Sequence, residues 1–339
     1  MAQSLLKKTA ARAALGVVSV VLSISAAAAA DKKLTLAVPG IPPIFASVLP
    51  IVAAHEGYFK KYGADLEVKY FESGTAAERA VVAGGMDLAL APTPFVIAQN
   101  SNAGVDLVGI YGMPNPDFLI ASTDPKKTSC KDLIGQSVGV DAVGGARAVA
   151  LAQMLGPCGV KIDDVQQAVL PSSATTAAMI SGHLTFGVIH ADEIAVLETQ
   201  GKPVSVITTI TKASPNSHFA MIVARRKDLE ADRDAYVHLV AGLIAAAQFL
   251  ADPRNDEKAA DIAVPTGRTK AEAKGGVKQY REIGFWPAKD DGLGRAKLEA
   301  LIAIQAKNGA IRPDKTPVSY DKLVDTSIWR DAAALVAKP

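Results

Sequence analysis

The side chains able to do chemistry in this sequence recur at one kind of place, just after a short apolar run and just before a stretch with helical spacing. Ser73, Gly74 and Thr75 follow Leu66–Phe71, and Thr93 follows Asp87–Ala91. Gly144, Gly145 and Arg147 follow Ser137–Asp141, Ser172 and Ser173 follow Val165–Leu170, and His190, Asp192 and Glu193 follow Phe186–Ile189. A helix start presents unpaired N–H groups and a partial positive charge, so such places suit an anion. The hydroxyls add donors, the Gly-Gly pair lets backbone come close to a solute, and the Arg147 guanidinium can grip an anion with two parallel N–H groups. His190, Asp192 and Glu193 can hydrogen-bond a ligand hydroxyl, amide or amine. Plain helix capping uses the same Ser and Thr residues, and Asp192 and Glu193 equally suit a helix start. Ile41 and Pro42, after the first apolar run, and Asn115, in a connecting loop, complete the candidate set. Two catalytic signatures are missing: the sequence has no GxxxxGK[ST] and no HExxH, and two cysteines are too few for a multi-cysteine zinc site. This chemistry is that of binding a small anion, with no cofactor and no metal implied.

The elements that must position these groups alternate. Strands are expected at Leu34–Val38, Leu66–Phe71, Asp87–Ala91 and Val105–Tyr111, with helices at Phe45–Glu56, from Thr75 to Ala83, and after Pro94. A second set repeats the plan: strands at Ser137–Asp141, Val165–Leu170, Phe186–Ile189 and Val204–Thr208, helices at Ala146–Leu155, Ala174–Ile180 and Asp192–Thr199. Such alternation predicts parallel sheets with helices on both faces. The sets are joined near Asp117–Thr123, and the chain returns through the apolar run Phe219–Ala224; beyond residue 232 it reads as nearly all helical. Two crossings between two α/β lobes describe a clamshell: residues 31–118 and 220–339 form the first lobe, 119–219 the second. Ligands of open α/β sheets lie beyond the carboxyl ends of the strands, where the candidate residues fall. Phe45, Phe95, Tyr111 and Phe118 are placed to stack on an aromatic solute or to pack the core. Cys130 precedes a strand running toward the cleft and Cys158 follows a helix running away from it. Both therefore fall at the far end of the second lobe, where a structural disulfide between them is expected.

Composition bounds the rest. The 339 residues suit two lobes better than one small core. Thirty-six basic against 34 acidic residues leave no electrostatic footprint for nucleic acid. Lys7, Lys8 and Arg12, an apolar stretch, and Ala28-Ala29-Ala30 before Asp31 have the form of a secretory signal peptide over residues 1–30. Its removal would take three basic residues and no acidic one, leaving 33 against 34. An exported chain with two cysteines meets an oxidising compartment.

Four segments carry a family resemblance: Gly57-Tyr58-Phe59 with Gly63 and Val68; Gly84-Gly85-Met86-Asp87; Asp132-Leu133-Ile134-Gly135 running to Val138-Gly139-Val140; and Ser181-Gly182 through Val188. In their order they resemble the periplasmic substrate-binding proteins of ABC importers, in the nitrate, sulfonate and taurine branch that also holds thiamine-pyrimidine binders. The last segment departs from the family pattern, with Thr185-Phe186 where Asp-Ala is usual. The resemblance implies a type II two-lobed binding fold with a helical C-terminal part, working in the periplasm as a monomer and delivering a small-molecule anion to an inner-membrane permease. A periplasmic sensor of the same solute, or an enzyme on the same fold like the yeast thiamine-pyrimidine synthase, are the alternatives. Ile41, Pro42, Ile44, Phe45 and Met113 at the expected mouth, with no basic cluster, point to a sulfonate or carboxylate with an organic body, an aromatic one included.

Overall fold

The structure, a computed structural model, describes residues 33–141, 146–170 and 172–338. The expected signal segment, Gly144 and Gly145 lie outside the described residues, as do the side chains of Ser172 and Ser173. Ten strands build two five-stranded sheets. β1 (Lys33–Pro39), β2 (Asp65–Phe71), β3 (Leu88–Pro92), β4 (Leu107–Met113) and β10 (Ala220–Arg225) form the first, in the order β2-β1-β3-β10-β4. β5 (Phe118–Ser122), β6 (Ser137–Val140), β7 (Gln166–Val169), β8 (Phe186–His190) and β9 (Ser205–Thr209) form the second, in the order β7-β6-β8-β5-β9.

The sheets are mixed, not parallel throughout. β1 runs parallel to β2 and β3, and β6 parallel to β7 and β8, as βαβ alternation requires. The two crossing segments reverse direction. β5 pairs antiparallel with β8 and β9, and β10 antiparallel with β3 and β4. Asp117–Thr123, read from sequence as a connection, thus holds a strand, β5, inserted between β8 and β9, with Leu119, Ile120 and Ala121 buried.

Eleven α-helices of eight or more residues flank the sheets among the described residues. α1 (Val48–His55), α2 (Gly74–Val82) and α3 (Thr93–Ala103) follow the first three strands. α4 (Ala146–Leu155), α5 (Ser172–Ser181) and α6 (Asp192–Thr199) follow β6, β7 and β8. The tail holds α7 (Arg233–Ala251), α8 (Asp256–Ala263), α9 (Lys270–Glu282), α10 (Arg295–Lys307) and α11 (Thr326–Val336). α7 is long and apolar enough to cross a membrane. It is a core helix instead: Leu239, Val240, Ala241, Leu243 and Ala246 are fully buried, and a Cβ on Gly242 would come within 2.6 Å of the Phe59 ring.

One core lies between the first sheet and α1, α7 and α8; a second lies on its opposite face, under α2, α3 and α10. A third fills the space between the second sheet and α4, reaching Cys130 and Cys158, whose sulfurs are bonded with their Cα atoms 6.0 Å apart. The tail does not stay with the first sheet. α9 packs lengthwise on α6, and Gly276 makes this possible: a Cβ there would stand 2.7 Å from Phe45 Cζ and 3.0 Å from the Asp192 Cβ. Tyr280 on the same helix packs on Phe45 and Phe285, so the first core runs on through α9 into α6.

Candidate functional site

A cavity of about 740 Å³ opens where the parallel strands end and the crossing strands begin. Pro39 and Gly40 after β1, Glu72 to Thr75 after β2, and Pro92 after β3 line it from the first sheet. Asp141 after β6, Ala146 and Arg147 at the start of α4, and His190 at the end of β8 line it from the second. Phe118 and Ala220, the first residues of β5 and β10, close its floor. Each group sits there because a parallel strand delivers the chain to that edge and a turn sends it into a helix. At Gly40, φ is 97°, a region that favours glycine, and the turn brings Ile44 back to the wall.

Of the residues singled out from sequence, Ser73, Gly74, Thr75, Arg147 and His190 meet at this cavity. Ser73 caps α2, its hydroxyl accepting from the Ala76 N–H and touching Thr75 Oγ1 at 3.0 Å. Ile41 and Pro42 point away and are exposed, Ile41 by 70%, since the Gly40 turn puts Ile44 on the wall in their place. Thr93 is buried beside the cavity, not in it. Its hydroxyl is 2.7 Å from Nδ1 of His218, whose Nε2 donates to the Gly292 carbonyl at 2.7 Å, so Nδ1 accepts. Burial drives the His218 imidazole down to about 4, and it stays neutral. Asn115 clasps the tail: its amide donates to Ile283 O, and its oxygen accepts from Lys297.

Arg147 is not a solvent-facing cation waiting for an anion. It is 3% exposed, and Nη1 donates to the Val188 carbonyl at 2.7 Å while Nη2 donates to Glu193 Oε2 at 2.9 Å. Its Nε has no hydrogen-bond partner among the described residues. Glu193 also accepts from Thr176 Oγ1 at 2.7 Å and from the His190 N–H at 2.8 Å. Burial alone would raise the Glu193 carboxyl, but Arg147, His190 and these donors hold it below the usual carboxylate range. Asp192 turns the other way, to Arg268 before α9, at 2.7 Å. Asp192 and Glu193 therefore act as counter-ions behind the wall, placed by the first turn of α6.

His190 is the polar side chain best presented to a ligand. Nδ1 lies 2.9 Å from Oδ2 of buried Asp117, which also accepts from the Tyr280 hydroxyl. Burial opposes the charged ring, but Asp117 outweighs it and His190 holds its proton above the ordinary histidine range. The ring packs on Phe118, centroids 4.5 Å apart, and Nε2 makes no hydrogen bond among the described residues. Sequence reasoning missed Phe219, His218 and the α10 residues of the wall. The first two lie just ahead of the return strand with no motif, and α10 begins about 70 residues after β10 ends.

No group of three or more metal-binding side chains occurs among the described residues. What the geometry can do is enclose a small molecule between two sheets, with helix starts, Arg147 and His190 at one end and apolar walls elsewhere. Such a pairing of mixed sheets around a strand-end cleft is the two-lobed architecture of periplasmic binding proteins. The chain belongs to the NMT1/THI5-like family, whose model matches residues 46–255. Among curated proteins no sequence matches it. In solved structures it is similar to the periplasmic aliphatic sulphonate-binding protein of Escherichia coli, with 18% identity, 88% of this chain and 99% of that one covered, and TM-score 0.66. It is similar to the periplasmic nitrate-binding protein of Synechocystis PCC 6803, with 16% identity, 91% and 89% coverage, and TM-score 0.67. A desulfurization enzyme holding biphenyl-2-sulfinic acid is also similar, at 13% identity, 90% and 99% coverage, and TM-score 0.62.

Proposed function

We propose that the protein is the periplasmic solute-binding component of an ABC importer, taking up a small organic anion and presenting it to an inner-membrane permease. The observation that carries this reading is the 740 Å³ cavity lined from both sheets at their strand ends. A solute held there touches residues of two lobes at once, and its binding free energy favours whichever relative position of the lobes completes the contacts. The lobes of this reading are residues 31–118 with 220–339 and residues 119–219, and residues 1–30 are the export signal. Helix starts at α2 and α4, with the His190 ring between them, supply donors for one anionic group. The charges behind the wall are already paired, Arg147 with Glu193 and Arg268 with Asp192, so no surplus of cations awaits a multiply charged solute.

The test is a thermal-unfolding screen after unfolding and refolding to strip carried-over solute, against nitrate, taurine, alkyl and aryl sulfonates, aromatic carboxylates and pyrimidines. A solute at 100 times its Kd adds about 2.7 kcal/mol to the folded state, worth a few degrees in a chain of this size. One anionic class should shift the midpoint alone. A shift by nitrate only, by the pyrimidines only, or by none of the panel overturns the organic-anion reading.

A further inference from the structure

We infer that the solute is a singly charged amphiphile whose alkyl or aryl body, about eight carbons long, runs from the strand ends up a groove between α3, α4 and α10. This rests on the organic-anion reading above and narrows it. The cavity does not stop at the strand ends. It continues along three helices from different parts of the chain, lined by Phe95 and Ala98 of α3, Val149 and Ala150 of α4, and Leu301 and Ile304 of α10. These six side chains carry no polar atom; the amides of Gln153, Gln305 and Asn308 lie beside this apolar strip, and the charged side chains stand at the Arg147 and His190 end.

Val149 and Ile304 settle the direction of the argument. Both are large apolar residues, 46% and 47% exposed, and both face the same cavity from opposite sheets. A solitary exposed valine needs no account, but two facing one cleft form an apolar lip that is wet until something covers it. Nitrate or taurine held at the strand ends would leave it wet. The groove also sets a length. From Arg147 to Gln153, both lining it, α4 rises about 9 Å at 1.5 Å per residue. With C–C bonds of about 1.5 Å, each advancing a zigzag chain by about 1.3 Å, an extended chain of about eight carbons spans that distance.

Titration calorimetry on the purified protein with linear alkanesulfonates and alkanecarboxylates of two to ten carbons, with nitrate and taurine beside them, tests this. Each added methylene should tighten Kd about fourfold until the chain reaches the lip, near eight carbons, and no further beyond it. Val149→Ser with Ile304→Ser, two half-exposed positions, should remove the gain from the last carbons and leave the two- and four-carbon probes unchanged. Affinity independent of chain length, or taurine binding more tightly than octanesulfonate, overturns the amphiphile and leaves the organic-anion reading in place, whereas binding of nitrate alone overturns both. Binding by no anion of any length overturns both.

Discussion

Replacing Glu78 by Gln isolates one buried carboxyl. Glu78 lies on the inner face of α2 with Ala77 and Val81, wholly removed from solvent, and neither carboxyl oxygen has a partner. Burial pushes its pKa from 4.5 up to about 8. An acid whose pKa is raised by folding is ionised in the unfolded chain at a pH where the folded chain still keeps its proton. Stability is then highest below 4.5 and falls with rising pH, by about 1.4 kcal/mol per pH unit until the folded group also ionises near 8. Between pH 5 and pH 8 this one residue withdraws about 4 kcal/mol. Gln does not titrate, and any constant difference between a buried acid and a buried amide is the same at every pH. Urea unfolding of both proteins at pH 5, 6, 7 and 8 should therefore show the Glu78→Gln variant gaining about 4 kcal/mol on the parent across that range. A difference between the two that does not change with pH would refute the reasoning, because it would place Glu78 in contact with water or with a cation.

Two further substitutions test the framework of the site. Arg147→Leu leaves Glu193 buried without its cation, and should cost about 3–5 kcal/mol; adding Glu193→Leu should recover most of it, read by thermal unfolding of both variants. Reducing the Cys130–Cys158 bond, which closes a loop with a sequence separation of 28, should cost about 3–4 kcal/mol on the chain-entropy account, seen as a lower unfolding midpoint in reductant.

How much of this was legible beforehand depended on whether the signal was local. Gly and Pro punctuation marked the ends of β1, α1 and α2 to within a residue or two, because a positive φ or a missing N–H acts where it stands. β5 was not legible as a strand: its run Phe118–Ser122 is short, follows two prolines, and gains its strand character from β8 and β9, more than sixty residues on. α9 was hidden by a polar sequence broken by Gly275 and Gly276; the Thr269–Glu272 capping box was the available sign. In the site, Ser73, Thr75 and His190 were found because strand-end position is readable. The pairing of Arg147 with Glu193 was not, since it depends on the distance between two helix starts on different strands. The apolar lip on α10 left no mark in sequence at all.

The place of β10 in the first sheet has a consequence for how the chain must fold. β4 has β10 as its partner strand, and β10 also covers the free side of β3. Both neighbours precede it by the whole of the second sheet. While residues 114 to 219 are being made, β3 and β4 offer bare edges and unsatisfied backbone groups to whatever strand arrives first. Local pairing within the second sheet is closer in sequence than the return to the first, so loop closure favours the second sheet forming earlier. The half of the cavity that appears first along the chain is then the last to be finished. A chain halted before Ala220 would carry a ready template for pairing with its neighbours.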